Sequence, residues 1–322
     1  MTALLLAIAV VTALAAFTCV AVRRIEARFP AEGGRVEVGG GAIHVCARGP
    51  KAPARGAVVM IHGASGNASD LDVALGGRLA ALGFRTLSFD RPGHGFSARI
   101  GGRAVASPRL QAAALRSAAE SLGAPQAIVV AHSLGAIAAL AMALEAPDFV
   151  RALVLIAPVS HPWSTGVAWY NALGADPLFG PPFRRLLVLP IGLALLRPGV
   201  EAVFAPNPPP RGFIEATRLP LLLRPTHFRA NCEDVTHANA AVGLLSPRYG
   251  EIGAPTEILA GDGDAIVSPK HHASALERDI PGARLTILPG VGHAPHHVAP
   301  ERIAAAVMEA DRRALARETE TA

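Results

Sequence analysis

The pentapeptide Ala-His-Ser-Leu-Gly at 131–135 constrains the fold of this 322-residue chain more than any other feature. An apolar, strand-like run at 127–131 leads into it, and a run with helical apolar spacing follows at 134–144. A serine at such an abrupt strand-to-helix turn is held in a sharp backbone elbow above the edge of a sheet. Small residues two positions before and after it avoid a steric collision in that elbow. The pattern predicts Ser133 as a nucleophile, with a plain helix N-cap serine as the alternative.

Apolar strands and amphipathic helices alternate along most of the chain. This alternation predicts an α/β fold with a mostly parallel sheet and helices on both faces. The predicted strands lie at 35–38, 42–47, 57–62, 85–89, 127–131, 152–156, 256–259 and 284–288. The predicted helices lie at 71–82, 108–122, 134–144, 269–276 and 300–316.

The alternation lapses over 159–248, which is rich in proline and leucine. The part that follows has too few strands to form a second sheet of its own. We therefore predict one α/β core in two halves, 35–158 and 249–316, with a helical cap inserted at 159–248. Residues 317–322 are predicted to form a frayed tail.

The first residues form an apolar segment, because 2–22 contain no charge and are mostly Ala, Leu and Val. About 20 such residues suffice for a transmembrane helix. We predict an uncleaved single-pass anchor at 1–22 and a linker at 23–34. The arginines that follow, Arg23, Arg24 and Arg28, favour a cytoplasmic location for the rest of the chain. A cleavable signal peptide is the alternative, although no basic residue precedes the apolar run.

The bulk composition excludes several classes of function. Hydrophobic residues make up 51% and charged residues 17%, so a large core is expected and global disorder is not. The net charge is +5, but the arginines are scattered and form no dense basic block, so no nucleic-acid partner is expected. The three cysteines, Cys19, Cys46 and Cys232, contain no CxxC pair, which argues against a disulfide framework or a zinc site. Cys19 as a lipoprotein cysteine is disfavoured because Phe-Thr precedes it.

Two pairs of neighbouring histidines, at 271–272 and 296–297, raise the question of a metal site. Adjacent histidines rarely bind one ion together, and no carboxylate or thiolate in the sequence pattern completes a site. We therefore predict surface or loop histidines, with no metal and no cofactor.

Two further motifs supply partners for Ser133. A serine hydroxyl needs an imidazole to take its proton and a carboxylate to orient that imidazole. Gly-Asp-Gly-Asp at 261–264 follows one late strand, and Gly-Val-Gly-His at 290–293 follows the last. The order Ser, Asp, His predicts a triad of Ser133, Asp264 and His293. Asp262 is the rival acid, but the pattern Gly-x-x-Asp-x-x-Val favours Asp264.

The segment Ile-His-Gly-Ala-Ser-Gly-Asn at 61–67 follows a buried strand. Its glycines let the backbone direct N–H groups at a developing oxyanion. We predict an oxyanion hole from the N–H groups of Ala64 and Leu134, with an ordinary glycine turn as the alternative. Ser65 is a poor rival nucleophile because its surroundings lack the elbow pattern.

The segment 90–97, Asp-Arg-Pro-Gly-His-Gly-Phe-Ser, is predicted to be structural. Asp90 and Arg91 are expected to pair with each other, and His94 and Ser97 to brace neighbouring loops. A direct chemical role is not expected because no nucleophile and base are arranged together there.

Together these motifs resemble the lid-bearing, serine-nucleophile branch of the α/β-hydrolase superfamily over about 35–316. Ala131 departs from the usual Gly-x-Ser-x-Gly pattern at its first position. The resemblance implies an activity among those of carboxylesterases, lipases, carbon–carbon bond hydrolases, haloperoxidases, epoxide hydrolases and haloalkane dehalogenases. Because the last two use an aspartate nucleophile, Ser133 disfavours them.

The leading expectation is a serine hydrolase that cleaves a small apolar ester through an acyl-enzyme. A carbon–carbon bond hydrolase of an oxo-acid is the alternative, and four cap arginines are candidates to hold the substrate carboxylate: Arg184, Arg185, Arg218 and Arg224. A non-catalytic binding module on a hydrolase fold is a more distant alternative. Five catalytic elements together favour an enzyme, because a binding module has no need of them.

Overall fold

A computed structural model describes residues 1–321 and contains one eight-stranded sheet. The strands are β1 (Gly34–Val38), β2 (Gly41–Arg48), β3 (Ala57–Ile61), β4 (Arg85–Phe89), β5 (Ala127–His132), β6 (Val150–Ile156), β7 (Thr256–Gly261) and β8 (Arg284–Leu288). All eight predicted strands are present, with ends shifted by a few residues.

The strands are ordered β1-β2-β4-β3-β5-β6-β7-β8 across the sheet. The β1–β2 and β2–β4 pairs are antiparallel and every other pair is parallel, so the predicted mostly parallel sheet is confirmed. The register of β3 on β5 places Ile61 beside Ala131. Because parallel strands end at one edge of the sheet, the segments after β3, β5, β7 and β8 meet there.

The helices before the cap are α1 (Thr2–Arg28), α2 (Ala68–Leu71), α3 (Gly77–Ala81), α4 (Pro108–Ser121) and α5 (Gly135–Glu145). A π-helical turn, Asp72–Gly76, joins α2 to α3, so the predicted helix at 71–82 is present but irregular.

Two apolar clusters cover the two faces of the sheet. One centres on Val59, Val129 and Leu155, and the other on Val58, Ile128 and Val154. This division follows from the alternation of side chains along each strand.

Five helices lie between β6 and β7: α6 (Trp169–Ala175), α7 (Gly180–Leu186), α8 (Val188–Phe204), α9 (Phe213–Ala216) and α10 (Pro225–Leu245). A 3₁₀ turn, Leu219–Leu223, precedes α10 and another, Ser246–Glu251, follows it. Both halves of the core contribute to the same sheet around this insertion. The domain bounds drawn from the sequence stay a prediction, and all five helices fall within 159–248.

The chain ends with α11 (Ala273–Asp279), α12 (Pro295–Val298) and α13 (Pro300–Thr321). Two sequence-based expectations need correction here. The helix predicted at 269–276 begins only at Ala273, because a turn follows Pro269. The predicted tail at 317–322 is helical through Thr321, while Ala322 lies outside the described residues. Alanine, arginine and glutamate favour helix, so α13 continues over the exposed end.

The N-terminal helix α1 is longer than the predicted anchor at 1–22 and replaces half of the predicted linker. It continues to Arg28, because Ile25 and Phe29 are buried against Leu189 and Leu223 of the cap. Among the described residues, α1 is the one unbroken helix long and apolar enough to cross a membrane. A signal sequence has the same length and composition, so these properties alone are weak evidence for an anchor.

A buried ionic cluster joins the core to the cap. Arg91 donates to Asp234 of α10, with 2.5 Å between Nη1 and Oδ2, and Arg99 Nη2 lies 2.8 Å from Asp234 Oδ1. The predicted pair of Asp90 with Arg91 is wrong. Asp90 instead pairs with His44, at 2.7 Å between Oδ2 and Nδ1, and accepts the N–H of Phe96. Sequence neighbours on a turn need not face each other, and here they point to different elements.

Asp234→Ala is expected to destabilise the fold strongly. Burial raises the pKa of Asp234 and lowers the pKa of Arg91, because each charged group is removed from water there. Removing one partner leaves the other charge buried and uncompensated, at a cost of about 3–5 kcal/mol. Thermal or urea unfolding of the full chain in detergent measures the loss. Glu251→Ala, which removes an exposed partner of Arg248, is the matched control and should change little.

Candidate active site

Ser133 lies in a strained elbow between β5 and α5. Its φ is +50°, in the left-handed region that side chains other than glycine rarely adopt. Gly135 makes the elbow possible, because a Cβ there would stand 2.5 Å from the carbonyl oxygen of His62. The Ser133 N–H donates to the carbonyl oxygen of Ile156 at 2.9 Å, so the sheet itself holds the elbow in place.

The structure brings the three residues of the predicted triad together. His293 Nε2 lies 2.9 Å from Ser133 Oγ, and His293 Nδ1 lies 2.7 Å from Asp264 Oδ2. The other carboxylate oxygen, Oδ1, accepts the N–H groups of Ile266 and Val267 at 2.8 and 2.9 Å. These two bonds fix the carboxylate plane, so Oδ2 faces the imidazole. The arrangement can transfer a proton from a serine hydroxyl to an oriented imidazole.

The rival residues lie elsewhere. Asp262 is exposed, and its Oδ1 accepts the N–H of Gly290 at 2.6 Å in the turn after β8. Ser65 also has a positive φ, of 58°, but its N–H is bound by Asn231 Oδ1 at 2.6 Å. His293, the base of the group, contacts Ser133 and not Ser65.

The loop after β3 lies directly against the nucleophile elbow. A Cβ on Gly63 would stand 3.0 Å from Ser133 Cβ, so this glycine permits the close approach. The N–H of Ser133 is committed to the carbonyl oxygen of Ile156, and Leu134 is the next residue along the elbow. Ala64 follows Gly63 on the facing loop. This placement is compatible with the predicted oxyanion hole, whose role stays a proposal.

His62 holds the 61–67 loop in place through two hydrogen bonds of its imidazole. Its Nδ1 donates to the carbonyl oxygen of Gly63 at 2.8 Å, and its Nε2 accepts the N–H of Arg91 at 3.0 Å. Burial, with the nearby Arg91 guanidinium, lowers the pKa of His62 to about 4. The ring is therefore neutral at physiological pH, as these two hydrogen bonds require.

A cluster behind the triad was missed by the sequence reasoning. Asp70 Oδ1 lies 2.8 Å from His297 Nε2 and 3.3 Å from His296 Nε2, and His132 Nδ1 lies 4.0 Å from Asp70 Oδ2. His132 Nε2 donates to the carbonyl oxygen of His293 at 2.9 Å and so supports the loop of the base. In the sequence, the position of His132 next to Ser133 was the one feature that could have pointed to this cluster.

The prediction of surface or loop histidines is therefore wrong for the 296–297 pair. His296 is buried, and a carboxylate does accompany it, because α2 carries Asp70 to this place. Burial alone would raise the pKa of Asp70, but His296 and His297 hold it well below its usual range. One donor atom each from Asp70, His132 and His296 lies within 4.8 Å of the others, so this set could hold a metal ion. Asp70 already accepts hydrogen bonds from two imidazoles, which stabilises the carboxylate without an ion.

The fold and this geometry agree with a family comparison. Residues 58–306 match the model of the "Alpha/beta hydrolase family". The chain belongs to the alpha/beta hydrolase family. The match spans β3 to α13 and includes Ser133, Asp264 and His293.

Similar proteins differ in what they cleave. The chain is 26% identical to the sn-1-specific diacylglycerol lipase of Mus musculus over 252 residues, covering 76% of this chain and 77% of that protein. It is also 26% identical to the 2-hydroxy-6-oxo-6-phenylhexa-2,4-dienoate hydrolase of Burkholderia cepacia over 243 residues, covering 74% and 81%. The crystal structure of the enol-lactonase from Burkholderia xenovorans LB400 superimposes with a TM-score of 0.68 at 18% identity, covering 86% and 99%. The chain is thus a hydrolase of this family.

The triad is buried, since Ser133 is only 6% exposed and His293 only 5%. The end of α8 contacts the loop of the base, where the His293 N–H donates to the carbonyl oxygen of Val203 at 3.2 Å. Beside it lies an apolar cluster that includes Phe204, Phe213 and Ala294. A cleft of about 640 Å³ lies elsewhere, between the end of α1 and the 93–99 loop, and contains no triad residue.

Proposed function

We propose that this protein is a serine hydrolase that cleaves a carboxylic ester through an acyl-enzyme. The observation that carries the proposal is the continuous chain of contacts from Ser133 Oγ through His293 to Asp264, at 2.9 and 2.7 Å. A buried carboxylate with two backbone N–H donors on its far oxygen is a rigid partner for the imidazole.

In the proposed reaction, Ser133 Oγ attacks the ester carbonyl carbon while His293 Nε2 takes the hydroxyl proton. The carbonyl oxygen becomes an oxyanion, which the N–H groups of Ala64 and Leu134 stabilise. When the C–O bond to the alcohol breaks, His293 returns the proton to the leaving alkoxide. Water then attacks the acyl-enzyme with the same base, releasing the acid and restoring Ser133.

The apolar cluster of the cap supports an apolar acyl group. Phe204 and Phe213 are in edge-to-face contact, with ring centroids 4.9 Å apart, and Ala294 directly follows the base. Pockets for small substrates are lined mostly by apolar groups. A relative named as a diacylglycerol lipase acts on a substrate of this kind.

The carbon–carbon hydrolase alternative has a relative in its favour but little support from the cap arginines. Arg184 donates to the carbonyl oxygen of Gly174, Arg218 pairs with Glu32, and Arg224 pairs with Glu26. Each of these three guanidinium groups already has a partner away from Ser133. A substrate carboxylate would have to displace one of them, which disfavours an oxo-acid.

We further propose that α1 anchors the protein in a membrane and that the catalytic domain lies on the cytoplasmic side. Most of its apolar side chains are exposed, including Leu4, Leu6 and Phe17, whereas its last two turns pack on the cap. A helix with so many exposed apolar residues is suited to lipid. The arginines at 23, 24 and 28 then lie at the headgroups.

The proposal predicts that kcat/KM rises with the length of the acyl chain. Each enclosed methylene contributes about 0.8 kcal/mol, so butyrate should exceed acetate by about fifteenfold. The measurement is hydrolysis of aryl acetate, butyrate, hexanoate and octanoate by the full chain in detergent. A flat or falling profile would contradict an apolar acyl pocket. Hydrolysis of an oxo-acid carbon–carbon bond in preference to every ester would favour the alternative.

A further inference from the structure

The first half of α8 carries apolar side chains on sides that no other part of the described chain covers. Leu189 is buried, and Gly192 lies against Leu223 of the 3₁₀ turn. Ile191, Leu193 and Leu195 are nevertheless exposed, Leu195 by 59%. Residues four apart on a helix lie within about 40° of each other, so Ile191 and Leu195 share one exposed face, whereas Leu193 lies on another side.

The exposed apolar surface continues onto the chain before α8. Leu178 and Phe179, just before α7, are exposed by 72% and 63%, and Leu187 lies at the break between α7 and α8. The two helices meet at 66° and are together apolar enough for a broken span or a re-entrant segment. We call five residues of this region the apolar cap surface: Leu178, Phe179, Leu187, Ile191 and Leu195.

Soluble proteins rarely expose large apolar areas without a partner. An apolar stretch of some ten residues that does not span is typical of interfacial or re-entrant segments. The sequence 177–200 contains no acidic residue, while Arg185 and Arg197 are exposed within it. Such a mixture of apolar and cationic groups suits a bilayer with anionic headgroups.

The position of α1 indicates which partner covers this surface. The helix packs against α7, α8 and the 219–223 turn. Thr18 is buried although Phe17 and Val20 on either side of it are exposed, so one side of α1 is already covered within its apolar stretch. If that stretch lies in a bilayer, then α7 and α8 must lie at its surface.

Aromatic residues flank the same region. Trp169 and Tyr170 begin α6 and are exposed, and the Trp169 ring lies 6.1 Å from that of Phe183 in α7. Tryptophan and tyrosine are enriched at the level of lipid headgroups. Their place beside α7 fits a surface that meets a membrane.

We propose that the apolar cap surface docks into the lipid bilayer beside α1, so that the cap is held in the membrane interface. The proposal rests on the anchor described under the proposed function, but the exposed residues that flank α7 and lie on α8 support it independently. The partner is the bilayer itself, with its acyl chains against the leucines and its anionic headgroups against Arg185 and Arg197.

The test places a fluorescent label at defined sites of the full chain in phosphatidylcholine vesicles that contain phosphatidylglycerol. Burial raises the thiol pKa of both Cys46 and Cys232 to about 12, so these react slowly at neutral pH. A Cys19→Ala background with Leu195→Cys then carries the label on the cap. Leu315→Cys is the matched control, because Leu315 is also exposed but lies on α13, outside the cap.

Nitroxide-bearing lipids should quench the label at position 195 and leave the label at position 315 bright. A label on native Cys19 reports on the anchor separately. Quenching at Cys19 without quenching at 195 would overturn cap docking and leave the anchor standing. Quenching at neither site would overturn both, and self-association of the chain through the cap would then be the competing explanation. Because quenching needs no turnover, a chain inactive on every ester but quenched at 195 would still support docking.

A second variant adds a functional readout. Leu195→Glu should leave hydrolysis of a water-soluble ester unchanged, since Leu195 is exposed whereas the triad is buried. The variant should lower hydrolysis of a bilayer-dissolved ester by about tenfold. Leu315→Glu should change neither. Equal rates of Leu195→Glu and the unmodified chain on the bilayer substrate would contradict the docking.

Discussion

Ser133→Ala is expected to abolish ester hydrolysis and labelling by a fluorophosphonate probe. The variant removes the hydroxyl oxygen that His293 Nε2 contacts at 2.9 Å, so no covalent acyl-enzyme forms. Loss of a triad serine lowers kcat on the order of a millionfold, and the remaining activity comes from the oxyanion hole and substrate binding. The measurements are probe labelling with mass-spectrometric assignment of the site, and kcat on an aryl ester.

Ser65→Ala is the control for this prediction. Ser65 lies on the facing loop and has a similarly positive φ, but among the described residues no hydrogen bond joins its hydroxyl to an imidazole. The control should keep both labelling and activity close to those of the unmodified chain. Labelling that persists in Ser133→Ala and disappears in Ser65→Ala would identify Ser65, in the 61–67 loop, as the nucleophile. The folded state of Ser133→Ala is checked by its thermal unfolding, because alanine relieves none of the strain at φ +50°.

Sequence reasoning found the residues of the site because the chemistry imposes a pattern on them. A serine elbow requires small neighbours, and the structure shows the reason at Gly135, whose hydrogen faces the backbone of Ile61 and His62. The acid and base were placed by the order Ser, Asp, His at late strand ends, and the pattern Gly-x-x-Asp-x-x-Val favoured Asp264 as the acid. Parallel pairing brings the ends of β5, β7 and β8 to one edge. The catalytic roles of these residues stay predictions that the variants test.

Contacts between distant segments could not be predicted in the same way. The cluster of Asp70, His132 and His296 forms only because α2 packs at the same sheet edge, so no local sequence pattern could predict it. The partner of Arg91 likewise comes from α10, far along the chain. The length of α1 depends on the packing of Ile25 and Phe29 against the cap, which hydropathy alone does not reveal.

Asp264→Asn is expected to lower kcat on the order of ten-thousandfold while leaving the fold intact. The Oδ1 atom of Asp264 accepts two backbone N–H groups, from Ile266 and Val267. An asparagine must keep its oxygen on that side, and so its amide group faces His293 Nδ1. The imidazole then accepts there and carries its proton on Nε2, where it can no longer take one from Ser133.

His293→Ala removes the base outright and should lose activity to a similar or greater extent. Asp262→Asn is the matched control, because its oxygen can still accept the N–H of Gly290 and it makes no contact with the imidazole. Steady-state kinetics on one aryl ester, with thermal unfolding of each variant, separates loss of catalysis from loss of structure. A larger loss in Asp262→Asn than in Asp264→Asn would mean that the 261–264 turn rearranges when substrate opens the cap. The 2.7 Å contact between Asp264 and His293 would then exist only before substrate binds, and Asp262 would be the acid during turnover.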